Sequence, residues 1–254
     1  MFVGPVVTGS GDSGGIYYKA ADGTAKYEYS LQDRASTLTA WLGQTNSMGG
    51  NGYRFKAPYG GGGNLYVKET GATKSFYYSG RSLQPGIAIA DLTNELNAEG
   101  AKGNRWLGQL ALQGGSVHGF VADSSTPNAT YTYSYELDGV GIDSLLTRIN
   151  DMGAQGAQYL GTYQVGGQAY RMFETSSLQT TPVSYTATAV GATETLSAMV
   201  TDLNEKAANG SLFWSDVAFP TQTATGAIVN VTYRLYAKGL VSPTHPLTGA
   251  WYPK

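Results

Sequence analysis

The sequence contains no cysteine among its 254 residues. This absence excludes disulfide bonds and thiolate metal sites. Charged residues are also scarce, at 13% of the chain, and the formal net charge is only −2. Because no block of like charges occurs, the sequence argues against a nucleic-acid or anionic-membrane partner.

Long apolar runs and metal-ligand patterns are missing as well. No apolar run reaches the roughly 18 residues that a membrane-spanning helix needs, so we predict no membrane span. The two histidines, His118 and His245, stand apart from each other and from any cluster of acidic residues. This spacing matches no metal site, and we expect neither a metal nor a cofactor. His118 lies in a predicted strand as a half-buried polar residue, and His245 lies in a proline-rich tail.

Glycine and polar uncharged residues take the place of the missing charge. The chain has 35 glycines and 19 tyrosines, together with many serines, threonines, asparagines and glutamines. Such a composition is typical of a folded, neutral protein rich in strands and turns rather than of a disordered chain. It also favours an extracytoplasmic location, either secreted, periplasmic or at the cell surface.

The chain carries one marker four times, at intervals of about fifty residues. In each case an asparagine is followed six positions later by a glycine: Asn46/Gly52, Asn97/Gly103, Asn150/Gly156 and Asn204/Gly210. An internal period of this length predicts a repeat architecture.

An amphipathic helix precedes each marker. Counted from the asparagine, the same offsets carry Leu38, Trp41, Leu42, Thr45 and Met48 in the first repeat. They carry Ile89, Leu92, Thr93, Leu96 and Glu99 in the second, Ile142, Leu145, Leu146, Ile149 and Met152 in the third, and Leu196, Met199, Val200, Leu203 and Lys206 in the fourth. Because this spacing follows one face of an α-helix, each repeat should contain one helix of about 13 residues.

Glycines and the asparagine itself should end these helices. Gly52 and its three counterparts, and also Gly49, Gly100 and Gly153, are candidates for the left-handed position just after a helix. We expect the asparagine side chain to bond the turn or to close the exit loop.

Strand-like runs surround each helix, one before it and two after it. In the third repeat the first run alternates strictly, with Tyr131, Tyr133 and Tyr135 on one face and Thr132 and Ser134 on the other. The predicted class is therefore α+β, with four tandem β-α-β-β repeats, antiparallel-rich sheets and one helix in each repeat. We expect each helix to lie beneath its own three strands, and the repeats to form a pseudo-fourfold ring or two packed pairs. The predicted boundaries are a flexible N-terminal arm at 1–15, repeats at 16–73, 74–127, 128–181 and 182–239, and an extended C-terminal arm at 240–254.

The helix ends carry a resemblance to a known family. The residues concerned are Tyr133 to Glu136, Leu145 to Gly156 and Tyr170 to Phe173, with the closest local match at Leu96 to Gly103. This combination resembles the small bacterial domain of unknown function of the DUF4177 type, repeated four times. The resemblance implies a β-α-β-β fold and no known chemistry. The chain departs from it where the family has a tryptophan after the second glycine, since Tyr53, Asn104, Ala157 and Ser211 stand there.

One string matches a catalytic loop. Gly11-Asp12-Ser13-Gly14-Gly15 has the pattern of the nucleophile loop of trypsin-like serine proteases. In that family the serine follows its histidine and aspartate along the chain, whereas both histidines follow Ser13 here. We therefore interpret the string as part of the N-terminal arm and predict no catalytic residue in it.

Two sets of side chains are candidates for ligand binding. Glu69, Asp123 and Glu174 follow the third strand of successive repeats, where they could converge in a ring and bind a cation or act in acid–base chemistry. Alternatively, they are solvated charges that protect strand ends. Tyr131, Tyr133 and Tyr135 could form an exposed aromatic strip suited to a glycan or a protein surface, unless they pack in the core.

These features favour a non-enzymatic extracytoplasmic repeat protein that acts in binding or assembly through surfaces rich in Tyr, Ser, Thr and Asn. One alternative is a subunit of a filament or surface layer that exchanges its terminal arms with neighbouring copies. A second alternative is a hydrolase that uses the carboxylates at the strand ends. The expected partners are a glycan, a protein surface or a second copy of the chain.

Overall fold

The structure is a computed structural model that describes residues 2–17, 25–59, 62–112, 115–222 and 226–241. Within these ranges the fold is α+β, with four helices and four three-stranded antiparallel sheets, one helix in each group of strands. A two-stranded hairpin, β1 (Phe2–Val7) and β2 (Ser13–Tyr17), precedes the four groups. None of the described helices is both long enough and apolar enough to span a membrane.

Each group, called a unit below, has the order strand, helix, strand, strand. Unit 1 contains β3 (Tyr27–Asp33), α1 (Leu38–Gly50), β4 (Arg54–Tyr59) and β5 (Gly63–Glu69). Unit 2 contains β6 (Phe76–Ser82), α2 (Ile89–Gly100), β7 (Arg105–Leu112) and β8 (Gly115–Asp123). Unit 3 contains β9 (Tyr131–Leu137), α3 (Ile142–Gly153), β10 (Ala157–Val165) and β11 (Gln168–Ser176). Unit 4 contains β12 (Ser184–Ala189), α4 (Leu196–Ala208), β13 (Ser211–Gln222) and β14 (Ile228–Lys238).

The three strands of every unit pair in the same way. The third strand lies in the middle and runs antiparallel to both the first and the second strand. A bulge interrupts the second strand. In unit 1 it lies between Phe55 and Ala57, directly after the aromatic residue found nine positions beyond the marker asparagine. Because a bulge adds one residue to one strand, Lys56 in unit 1 has no residue opposite it in β5.

The first three helices each pack against the first strand of the following unit, not only against their own strands. Trp41 of α1 packs with Tyr78 of β6 and with Leu107 and Val117 of the unit 2 sheet. The clusters around α2 and α3 are built in the same way from the sheets of units 3 and 4. The expectation that each helix lies beneath its own three strands alone is therefore wrong, since a helix between two sheets buries two faces.

The repeated asparagine holds this arrangement together. Asn46 Nδ2 donates to the Tyr78 carbonyl at 2.9 Å, and the Tyr78 amide donates to Asn46 Oδ1 at 2.7 Å. Asn97 makes the same pair of bonds with Tyr133, and Asn150 makes it with Tyr185. The asparagine thus continues the edge of the next sheet, in place of the predicted bond to the turn after its own helix.

The tyrosine in this pair returns a bond to the preceding unit. The hydroxyl of Tyr78 accepts from the backbone amide of Phe55, and the hydroxyl of Tyr133 accepts from that of Trp106. Tyr185 accepts from Tyr159 in the third junction. Each junction between units is therefore fixed from both sides by buried hydrogen bonds, which are costly to leave unmade.

The two sets of marker glycines have different roles. Gly52, Gly103, Gly156 and Gly210 have φ between 76° and 85°, which confirms the predicted left-handed position after each helix. Gly49, Gly100 and Gly153 instead lie within their helices. A Cβ on Gly100 would come within 2.0 Å of the Tyr131 carbonyl oxygen, so these glycines permit close approach of the next strand.

The N-terminal hairpin takes the place of a next unit over α4. Ile16 of β2 forms a buried cluster with Met199, against which Leu203 and Phe213 pack. The Ser10 amide also donates to the Glu194 carbonyl before α4, at 3.1 Å. The segment predicted as a flexible arm at 1–15 is therefore a docked hairpin, because α4 offers it an apolar face. Of the predicted C-terminal arm at 240–254, residues 242–254 lie outside the described ranges.

Candidate functional site

A polar cleft crosses the junctions between the units on the side where the helices end. Its volume is about 370 Å³, which lies within the range typical of small-molecule sites. The following residues line it: Arg54, Lys74, Phe76, Arg105, Val121, Asp123, Ser125, Thr126, Tyr131, Gln158, Ser176, Leu178, Gln179 and Val241. We call it the inter-unit cleft, since units 1, 2 and 3 all contribute to it.

Arg105 is the most firmly held of the cations in the cleft. Its guanidinium makes a two-pronged ion pair with Glu174, with Nη2 at 2.7 Å from Oε1 and Nε at 3.0 Å from Oε2. Nη2 also donates to Gln158 Oε1 at 3.3 Å, and the group lies 5.6 Å from the centre of the Tyr131 ring. The Glu174 charge raises the pKa of Arg105 in spite of its burial, so this arginine is fully charged.

Arg54 is the residue of unit 1 that corresponds to Arg105. The pairing of β4 with β5 has the same register as that of β7 with β8, and the two arginines occupy the same place in it. The environment of Arg54 compensates its charge less well than that of Arg105. Burial lowers the pKa of the Arg54 guanidinium, and repulsion from Arg105 lowers it further, while Tyr78 and Asp123 act in the opposite direction. An arginine still carries its charge under such conditions, so the shift is a measure of unfavourable electrostatic energy.

Lys56 is a third basic residue of this region, close to Arg54. The residue is only 3% exposed, and its Nζ has no hydrogen-bond partner among the described residues. Burial lowers the pKa of Lys56 to about 6, and the charge of Arg54 contributes to the shift. The corresponding residues of the other units are apolar, namely Leu107, Leu160 and Trp214. Unit 1 therefore holds a buried basic side chain where the other units hold apolar core side chains.

The predicted carboxylates lie around the cleft in different roles. Asp123 lines it, and its Oδ1 accepts from the amide and the hydroxyl of Ser125. Glu69 lies at the end of β5 and binds Lys74, a lining residue, at 2.9 Å. Glu174 is fully buried beneath Arg105. Two of the three carboxylates thus hold cations that line the cleft.

The assumed equivalence of these carboxylates is incorrect for Glu174. Strand register places Glu69 opposite Tyr27 and Asp123 opposite Phe76, the first residues of β3 and β6. The residue opposite Tyr131 in β11 is Ser176, whereas Glu174 lies two residues earlier, opposite Tyr133. Because side chains two apart share a face, Glu174 keeps the orientation but lies deeper in the sheet.

The predicted tyrosine strip is not an exposed surface. Tyr133 is 2% exposed, and its hydroxyl bridges the Trp106 amide and Glu174 Oε2. Tyr131 is also buried and lines the cleft, and burial raises its pKa. Tyr135 alone is exposed, and its ring packs edge-on against Tyr170 at 5.7 Å. The alternation along β9 was correct, but its tyrosine face is turned towards the preceding helix.

Other sequence candidates give no site. Among the described residues no group of three or more His, Asp or Glu side chains could hold a metal ion. Ser13 lies in β2 of the N-terminal hairpin, and the neighbouring Asp12 accepts from the Ser10 hydroxyl at 2.8 Å. His118 lies in β8 and is buried, while His245 lies outside the described residues.

A second surface is apolar and lies on unit 1. Tyr17 of β2 and Tyr29, Leu31, Tyr59 and Leu65 of unit 1 surround a cavity of about 270 Å³. Four of them are substantially exposed, from 43% for Tyr29 to 69% for Tyr17. The corresponding sheet faces of units 2, 3 and 4 are covered by the preceding helix. Among the described residues no helix precedes unit 1, and we call this surface the unit 1 face.

Comparisons with protein-family models, with curated proteins and with solved structures find no match to this chain. The resemblance to the DUF4177-type domain consequently remains a prediction from the helix-end residues.

Proposed function

We propose that the protein is a non-enzymatic binding protein whose inter-unit cleft takes a small hydroxylated acid, such as a sugar acid or a sugar phosphate. The observation that carries the proposal is the placement of Arg54 beside Arg105 at the cleft, with Lys56 buried behind Arg54. Cations that repel each other in a half-buried site are stabilised by an anion bound between them.

The rest of the lining fits the other part of such a ligand. Ser125, Thr126 and Ser176 supply hydroxyls, and Gln158 and Gln179 supply amides. These groups both donate and accept hydrogen bonds, as sugar hydroxyls require. The planar guanidinium of Arg54 suits a carboxylate or a phosphate, which it can bind through two parallel bonds.

Catalysis by paired carboxylates is less well supported by this geometry. Glu174 is fully buried and paired with Arg105, and Glu69 is paired with Lys74. Asp123 is thus the one carboxylate of the predicted set that lines the cleft itself. A binding role requires no second acid or base.

Isothermal titration with glucuronate, glucose 6-phosphate and glucose tests the proposal. We expect the two acids to bind at least about tenfold more tightly than glucose, because a hydrogen bond to a charged group contributes about 1.5–3 kcal/mol. Arg54→Gln should remove this preference. The matched control Arg148→Gln changes an exposed arginine that pairs with Glu136, and it should have no effect. Equal affinities for acid and neutral sugar, or no binding of either acid, would refute the proposal.

We also propose that the four units are repeats arranged as a closed pseudo-fourfold ring rather than as two packed pairs. Three helices each contact their own second strand and the first strand of the next unit. The N-terminal hairpin supports closure, since Ile16 packs on α4 while Tyr17 lies against unit 1. The scarcity of charge supports an extracytoplasmic location for such a binding protein.

Assembly is the second candidate function, and the unit 1 face favours it. Exposed apolar side chains grouped around a shallow cavity are typical of protein–protein contacts. In this structure the N-terminal hairpin docks on α4 of its own chain, so it is not donated to a neighbour. Self-association would therefore use the unit 1 face. Leu31→Asp should then convert a larger species into a monomer in sedimentation measurements, whereas a wild-type chain that is monomeric at high concentration would refute self-association.

A further inference from the structure

His118 departs from its counterparts in the other units. Strand register aligns it with Asn64, Arg171 and Arg234, which occupy the same place in the central strand. Each of these binds a group in its own helix or in the loop before it: Asn64 binds Gln44 at 2.7 Å, Arg171 binds the Gly139 carbonyl at 3.0 Å, and Arg234 binds Glu194. In the other three units this position therefore ties the central strand to the helix of its own unit or to the loop before that helix.

His118 does not make this contact. Its Nδ1 accepts a hydrogen bond from Trp106 Nε1 at 3.1 Å, so the neutral ring carries its proton on Nε2. That Nε2–H is buried and has no hydrogen-bond partner among the described residues, and the whole side chain is 3% exposed. Burial lowers the pKa of His118 to about 4, which keeps the ring neutral at pH 7. A buried donor is thus left without an acceptor.

A cavity of about 190 Å³ lies against this ring, at the junction of units 2 and 3. Its wall is formed by Leu92, Trp106 and Tyr163 beside His118. The segments 83–87 and 164–166 complete it, and the exposed glutamines Gln84 and Gln164 mark its solvent side. No Asp, Glu, Lys or Arg side chain lines this cavity.

Both segments turn at a glycine. Gly86 and Gly166 have φ of 74° and 58°, a conformation that other residues rarely adopt. A side chain at Gly166 would extend towards the Ile87 carbonyl, 4.0 Å from its first carbon. The cavity is therefore bounded by two tight turns, and the buried His118 ring is part of its lining.

We propose that this cavity binds a small, planar, uncharged heteroaromatic molecule that presents one hydrogen-bond acceptor to His118 Nε2. Aromatic and aliphatic walls favour a flat apolar ligand, and the unpartnered Nε2–H of His118 favours a ligand with an acceptor at one edge. The uncharged lining disfavours ions, because a charge there would be desolvated without a partner. The site is separate from the inter-unit cleft and does not depend on the function proposed for it.

Quinoline and naphthalene form a matched pair of probes, since they have the same shape and only quinoline carries an acceptor nitrogen. Binding to the wild-type chain is followed by NMR, through the ¹⁵N shift of His118 Nε2 and the indole N–H of Trp106. We expect quinoline to shift both signals and to bind about tenfold more tightly than naphthalene, because naphthalene leaves the donor unpaired.

The variant His118→Phe keeps a ring in place and removes the donor. In this variant quinoline and naphthalene should bind with equal affinity, while intermolecular NOEs from either probe to Leu92 and Tyr163 persist. The wild-type comparison stands by itself if the variant does not fold. Equal affinity of the two probes for the wild-type chain, a His118 Nε2 signal that quinoline leaves unchanged, or binding of neither probe would overturn the proposal.

Discussion

Replacing Lys56 with methionine should make the protein more stable, and the gain should depend on pH in a defined way. Lys56 is 3% exposed, and its pKa falls from the ordinary 10.5 to about 6. Methionine has a side chain of similar length without the charge, so it fills the same space with little repacking. The residues at this position in units 2 and 3, Leu107 and Leu160, show that the surrounding fold accepts an apolar side chain.

The direction follows from proton binding. Between pH 6 and 10.5 the unfolded chain carries a proton on Lys56 that the folded chain has largely lost, so the stability of the wild type rises with pH in this range. The difference between wild type and Lys56→Met should therefore shrink by about 1.4 kcal/mol for each pH unit above 6. At pH 7 the burial penalty amounts to as much as about 5 kcal/mol, because pH 7 lies about three and a half units below the ordinary pKa.

Urea unfolding of both proteins at pH 7, 8 and 9 measures this difference. Lys238→Met is the matched control, since Lys238 is exposed at the end of β14. Its stability should differ little from that of the wild type at each pH. The reasoning is refuted if Lys56→Met is no more stable than the wild type at pH 7, or if the difference between them is the same at pH 7 and 9.

Two further substitutions test the junctions between units by thermal and urea unfolding. Asn46→Ala removes both bonds to the Tyr78 backbone and should cost about 2–4 kcal/mol. The control Asn204→Ala changes the exposed counterpart in α4, and its free energy of unfolding should stay within about 0.5 kcal/mol of the wild-type value. If the two substitutions destabilised the protein equally, the role given to the asparagine would be contradicted. Gly100→Ala places a carbon 2.0 Å from the Tyr131 carbonyl oxygen. It should lower the free energy of unfolding by about 3 kcal/mol or more, since the backbone of the helix or of the strand must move to make room. A Gly100→Ala protein as stable as the wild type would show that the helix and strand do not approach so closely.

Local patterns predicted the elements of this fold well. The helix spacing placed α3 from Ile142 onwards, where the structure has Ile142–Gly153, and the alternation at Tyr131 to Tyr135 lies within β9. Both patterns arise within one element, where side-chain period and backbone geometry are linked directly. The glycine six residues after each asparagine was also interpreted correctly, because a positive φ is a local requirement.

Contacts between units were not predicted, since they depend on which sheet a helix faces. The sequence nevertheless contains a signal for them at the helical glycines. Gly49, Gly100 and Gly153 recur, but α4 has Ala207 in the same place. Unit 4 is followed by no further sheet among the described residues, and its helix meets the N-terminal hairpin instead. The absence of this glycine from α4, which has no sheet of a following unit in the described part of the chain, is a sequence signal that the glycine serves the contact with the next unit and does not end the helix.

The cations of the candidate site were missed for a similar reason. Lys56 has a charge where the aligned positions are apolar, and this difference becomes visible only when the bulged strands are aligned residue by residue. Arg54 and Arg105 are aligned with each other, but their proximity results from the packing of unit 1 against unit 2. Charge alone could not show that they share a cleft.

The most direct test of the central claim, that an anionic ligand binds beside Arg54 and Arg105 in the inter-unit cleft, is an NMR titration of the buried Lys56 side chain next to Arg54. The ¹³Cε shift of Lys56 is followed against pH with and without saturating glucuronate. Without the ligand we expect a pKa of about 6, and with it a clearly higher pKa, because a bound anion offsets the repulsion from Arg54. A Lys56 that titrates near 10.5 in both samples, or whose pKa does not change when glucuronate is bound, would contradict the account.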